Sequence, residues 1–106
     1  MPSILNTLQE METTLRSNGF EDFGNRISEI AAEENSVVFA AQIASLDVWG
    51  GNGSIVDVTL SSLVDERRFN ELIVDLAEAL DQIGIGNPRT RWVGQTIEDW
   101  LIANPK

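Results

Sequence analysis

The sequence predicts an all-α fold, a compact bundle of about five helices with a glycine-rich corner between the third helix and a short helical segment. Three observations predict it. Apolar residues recur at helical spacing in separate stretches, bounded by capping residues or glycines. At 106 residues and 42% hydrophobic content the chain can bury one core, so residues 1–106 read as a single helical domain. No stretch repeats another, which favours a bundle over a solenoid.

Ile4, Leu8, Met11 and Leu15 recur at steps of four, three and four, with Leu5 beside them, as one helical face requires. Ser3 stands where an N-cap belongs, and Asn18-Gly19 supplies a left-handed stop. Phe20, Phe23, Ile27, Ile30 and Ala31 continue the spacing and predict a second helix from about Asp22 to Glu33, with Gly24 weakening its first turn. Asp22 and Glu29 flank Arg26 at pairing intervals, whereas Glu33 and Glu34 have no base nearby. Asn35 or Ser36 can cap a third helix whose Val38, Phe39, Ile43 and Leu46 share a face, while Ala40, Ala41 and Ala44 permit close packing.

That helix leads into Trp49-Gly50-Gly51-Asn52-Gly53-Ser54-Ile55-Val56-Asp57. Its glycines admit positive φ and Asn52 tolerates it, so the backbone can reverse sharply. Ser54, three residues before Asp57, has the spacing of a capping box. Leu46, Trp49, Ile55, Val56, Val58 and Leu60 bracket the turn and pin it into the core. A phosphate cradle fits poorly, because the P-loop lysine is missing and Asp57 repels anions. A calcium loop fits no better: with Asn52-Gly53 at its glycine turn, Val48 and Thr59 fall where carboxylates are required. Residues 55–60 are rich in β-branched side chains, but a lone strand has no partner, so a short helical segment is predicted.

The strongest periodic signal runs from about Asp65 to Ile83, with Phe69, Leu72, Ile73, Leu76, Leu80 and Ile83 on one side and Gly84 and Gly86 at the end. Glu71, Asp75 and Glu78 form a stripe on the opposite side, with no base between Arg68 and Arg89 to offset them. Asn87-Pro88 opens a last helix through Trp92, Val93, Ile97, Trp100 and Leu101, closed by Asn104-Pro105. Trp92 and Trp100 read as aromatics sealing the edge of the core.

Seventeen acids against seven bases give a net charge of −10, which disfavours nucleic acid and anionic membranes and favours basic partners. The chain has no Cys, His or Tyr. That removes thiol chemistry, the usual zinc ligands and the commonest general base, so no catalytic residue, metal or cofactor is assigned. Met1 to Thr14 has neither a basic region nor a continuous apolar run, and the expectation is a cytoplasmic protein. Glu78-Ala79-Leu80-Asp81 resembles half of the magnesium motif of all-α nucleoside triphosphate pyrophosphohydrolases. The other half is not matched, since Glu29, Glu33 and Glu34 have different spacing and lie too far upstream. An enzyme is therefore the last-ranked reading.

The run from Leu46 to Val58, followed by an amphipathic helix near Phe69, resembles a family of small bacterial helical proteins sharing an aromatic-Gly-Gly-x-Gly-Ser-aliphatic-x-Asp signature. That group is similar to the immunity proteins encoded beside secreted antibacterial toxins. The pattern covers residues 4–83, and its specific part is the corner. The resemblance implies a non-enzymatic binder of a cognate toxin, and the acidity implies that the toxin is basic, as a nuclease is. A structural or oligomeric protein, such as a homodimer, is the alternative. The candidate contact residues are Glu71, Asp75 and Glu78, with Glu33, Glu34 and Asp47 as a second cluster; Trp49 is either an aromatic anchor there or the buried cover of the corner.

Overall fold

A computed structural model of the chain describes residues 3–50 and 53–104. Five helices of eight residues or more build the bundle: α1 (Ile4–Ser17), α2 (Glu21–Ala31), α3 (Ser36–Ile43), α5 (Leu63–Gln82) and α6 (Pro88–Ala103). Between α3 and α5 lie a four-residue helix, α4 (Leu46–Trp49), and a 3-10 turn, Ile55–Asp57. There is no strand among the described residues. The radius of gyration, 12.8 Å, is that of a compact chain of this length.

α1, α3, α5 and α6 begin where a side chain provides a cap, whereas α2 follows Phe20 without one. The Ser3 hydroxyl accepts from Asn6 N, the Asn35 side chain from Val37 N and Val38 N, and the Ser62 hydroxyl from Asp65 N. At α6, Asn87 Oδ1 accepts from Thr90 N at 2.9 Å while Thr90 Oγ1 accepts from Asn87 N at 2.9 Å, a reciprocal capping box with Pro88 at the first helical position. α1 and α5 end alike. Gly19 (φ +86°) and Gly84 (φ +81°) take the left-handed conformation, and the next residue donates back to the last turn, Phe20 N to Leu15 O and Ile85 N to Leu80 O.

α5 is the hub, packing against both α1 and α6, while α2 packs against α1. Leu8, Met11 and Leu15 meet Phe69, Ile73 and Leu76 in one fully buried cluster. Each such side chain contributes about 1.5–3 kcal/mol through the apolar surface it removes from water. Two glycines set how closely the helices approach. A Cβ at Gly24 would lie 2.8 Å from Arg16 Cγ, so the Arg16 stem crosses α2 at Gly24 on its way to Glu21 and Asn25. A Cβ at Gly94 would lie 2.7 Å from Ala77 Cβ, which marks the tight crossing of α5 and α6. The Gly24 position is thus a contact as well as a weak helix former.

Several sequence expectations are corrected. α2 ends at Ala31 rather than Glu33, and α5 runs from Leu63 to Gln82 rather than Asp65 to Ile83, leaving Ile83 exposed past the helix. α3 stops at Ile43, because Ser45 is extended (φ −75°, ψ 163°) and restarts the chain as α4. The restart shifts the helical phase: Val48 and Trp49 turn inward, and Leu46, expected in the core, is 71% exposed. Of residues 55–60, the first three form the 3-10 turn, Val58 is extended, and 58–60 make no strand pairing. Trp92 and Trp100, expected at the core edge, are 60% and 45% exposed, because Thr90, Val93 and Gly94 occupy the buried side of α6.

The corner also differs in detail. Gly53 takes positive φ (+86°), whereas Gly50 does not (φ −76°); Gly51 and Asn52 lie outside the described residues, as do Pro105 and Lys106. The Ser54–Asp57 cap is not formed. Ser54 Oγ is buried without a hydrogen-bond partner among the described residues, and Asp57 is exposed. Ser54→Ala is therefore expected to leave the melting temperature unchanged or raise it, since an unpaired buried hydroxyl costs about 1–3 kcal/mol. Gly53→Ala should lower stability by about 1–2 kcal/mol through its left-handed backbone. Thermal melts of the two variants check both signs.

Candidate interaction surface

Trp49 is fully buried, and its Nε1 donates to Ile43 O at 2.7 Å, closing the open end of α3. The corner is stitched further from α6. Asn87 Nδ2 donates to Ala44 O at 3.3 Å, and Arg89 Nε donates to Trp49 O at 2.9 Å. Of its two sequence readings, the cover of the corner is the one the structure shows, and the indole is not on the surface.

The stripe Glu71, Asp75 and Glu78 follows the outer side of α5, but it is not uncompensated. Glu71 lies 3.4 Å from Arg68 and 4.0 Å from Arg67, three and four residues before it. Arg68 also clamps Glu10 of α1 through two hydrogen bonds of 2.9 Å. The guanidinium that offsets the stripe therefore also joins α1 to α5. Asp75 is half-buried beside this network. Burial raises its pKa above the ordinary aspartate value, Arg68 opposes the rise, and Glu71 and Glu10 add to it. Glu78 is exposed and lines a groove between α5 and α6 with Asp81, Arg91 and Glu98. Arg91 is already paired with Asp81 at 3.0 Å.

The Asp75 shift has a testable sign. A folded pKa raised above the unfolded value means that the native state binds more protons between the two values, so stability falls as pH rises through that window. Asp75→Asn should therefore melt above the wild type at neutral pH, with the gap closing as the pH falls to the ordinary aspartate range. Partial exposure and screening hold the difference to within about 0.5 kcal/mol.

Glu33, Glu34 and Asp47 do not form one cluster. They stand beyond opposite ends of α3, whose eight residues span about 12 Å. Glu33 accepts from Asn35 N, Glu34 is exposed, and Asp47 is 3.6 Å from Arg26, which also lies 3.9 Å from Glu29. Asp22, expected to pair with Arg26, gives way to Asp47. Between these acids, residues 35–46 carry no charge at all. Ile43 is the only one of the α3 residues that is fully buried; Val37 is 77% exposed, and Val38, Ala41 and the following Leu46 also face solvent. An apolar helix face rimmed by carboxylates has the anatomy of an interface, with an apolar centre and a polar edge.

A second surface escaped the sequence reading. Arg89 lies over the exposed Trp92 ring, 5.3 Å from its centroid, beside a cavity of about 190 Å³ between the corner and α6. The missed signal is the run Thr90, Val93, Gly94, Ile97 and Leu101, which keeps a complete helical period and turns Trp92 outward. Compared with protein-family models, curated proteins and solved structures, the chain matches none of them.

Proposed function

We propose that this protein acts by stoichiometric binding, as an immunity protein that occludes a secreted antibacterial toxin bearing a basic face. The observation that carries the reading is the exposed, charge-free α3 with Glu33 and Glu34 beyond one end and Asp47 beyond the other. The partner is a protein whose contact surface has an apolar centre and a rim of Arg or Lys. The net charge of −10 supports that choice, because a second copy docked face to face would set carboxylate rims against each other. The resemblance at the corner supports the biological role. The protein acts without turnover, metal or cofactor, in the cytoplasm of the producing cell.

The test is co-expression with the product of the neighbouring upstream gene. Rescue from toxicity and co-purification are expected; toxicity that persists, with the two proteins eluting apart, would sink the reading. Within a complex, Val37→Asp should weaken binding about tenfold or more, as truncating an apolar anchor does. Glu33→Lys with Glu34→Lys should chiefly slow association and flatten its salt dependence. Glu78 is the stripe position best suited to the same measurement, because reversing Glu71 would also break the bridge to Arg68.

One observation favours self-association as a second reading. Leu63 and Val64, at the start of α5, are 85% and 79% exposed, and the acids and bases beside them, Asp65, Arg67, Arg68 and Glu71, balance in charge. Two copies can meet there without the repulsion that the rest of the surface imposes. Sedimentation over a concentration series, with Leu63→Asp as the control, separates a dimer from a monomer.

A further inference from the structure

Among the described residues, five arginines have a carboxylate within salt-bridge distance, and Arg89 alone does not. In a chain with seventeen acids against seven bases, that isolation is unexpected on charge alone. Its cause is local. Arg89 Nε is held by Trp49 O at 2.9 Å, and its guanidinium carbon lies 5.3 Å from the Trp92 ring centroid, so the group is fixed before any ligand arrives. Its terminal nitrogens have no hydrogen-bond partner among the described residues. The adjoining cavity of about 190 Å³ has apolar walls from Val56, Trp92, Val93 and Ile97, and Asp57 is its one carboxylate. Asp57 and Arg89 line the same space without forming an ion pair. Opposite charges that line one apolar cavity without pairing match a ligand that offers a carboxylate to one, an N–H donor to the other and an apolar group to the walls.

We propose that this cavity binds an apolar amino-acid residue through its free carboxylate. The carboxylate sits on the terminal nitrogens of Arg89, the side chain enters the cavity, and the adjoining N–H faces Asp57. A peptide C-terminus and a free amino acid share this chemistry. The site is independent of the toxin-binding reading, lying on α6 and the corner rather than on α3.

The experiment is a titration of the 15N-labelled protein, following the indole Nε1–H resonance of Trp92, with N-acetyl-leucine, N-acetyl-leucine amide and leucine as probes. N-acetyl-leucine should give a saturable shift in the millimolar range, as its size allows. The amide should bind about tenfold more weakly or worse, because it lacks the charge that Arg89 reads. Leucine binding more tightly than N-acetyl-leucine would identify free amino acids as the source, and the reverse order would identify chain termini. Arg89→Gln should lose about tenfold or more in affinity for N-acetyl-leucine. Thr96→Phe fills the cavity from its exposed side while keeping Arg89 and its bond to Trp49 O, and should abolish the shift, which covers the case in which Arg89→Gln loosens the corner. Equal binding of the acid and its amide, or no saturable shift with any probe, would overturn the proposal.

Discussion

Trp49→Ala is expected to lower the free energy of unfolding by about 3–5 kcal/mol, the range for removing a buried aromatic side chain. The indole is fully buried and fills the centre of the corner, where Ile43, Val48 and Ile55 are also buried. Its loss also strips the hydrogen bond from Ile43 O, leaving a carbonyl at the end of α3 without its partner. Collapse into the space is restricted, because the Trp49 backbone is held by Arg89. Against a typical total of about 5–15 kcal/mol, the loss leaves a marginal fold and a melting temperature lower by on the order of 15 °C. Trp49→Phe keeps most of the apolar area but not the N–H donor, so it should fall between wild type and alanine. Melts followed by circular dichroism rank the three, and an alanine variant melting within about 3 °C of wild type would remove Trp49 from the core.

Gly94→Val is expected to cost about 1–3 kcal/mol or more through overpacking at the crossing of α5 and α6. The first added carbon already falls 2.7 Å from Ala77 Cβ, and both positions are buried in helical backbone, so neither can give without moving a whole helix. Higher helix propensity offsets part of the cost, which makes Gly94→Ala the milder variant. The specific check is Ala77→Gly in the Gly94→Ala background. If the contact limits the approach of the helices, the second change relieves the first and the two are strongly non-additive. Additive losses would show that Gly94 is needed for another reason.

The bundle was legible in the sequence wherever a helix carried its own punctuation. Ser3, Asn35 and Asn87 cap, and Gly19 and Gly84 stop, through bonds that span only a few residues. The break at Ser45 was not legible, because the apolar period runs on through Leu46; what ends α3 is the demand of Trp49 for a buried site and of its N–H for the Ile43 carbonyl. The outward turn of Trp92 and Trp100 was hidden for a related reason. The largest apolar groups of α6 are not the ones it buries, since it packs through Gly94, the smallest residue it has. At the candidate surface, the acids were readable as residues but not as neighbours. The Glu10–Arg68 clamp joins positions 58 apart, and no local pattern announces it.

The stitching of the corner sets an order on its formation during synthesis. α1, the Gly19 turn and α2 can pair as soon as they emerge, since their contacts are close in sequence. α3 and α4 cannot be finished so early, because the groups that close Ala44 O and Trp49 O, on Asn87 and Arg89, follow 43 and 40 residues later. At translation rates of about 5–20 residues per second, those carbonyls stay hydrated for seconds after their own helices have left the ribosome. The corner thus sets only after the start of α6 has been made, and the most apolar helix is the one that waits for it.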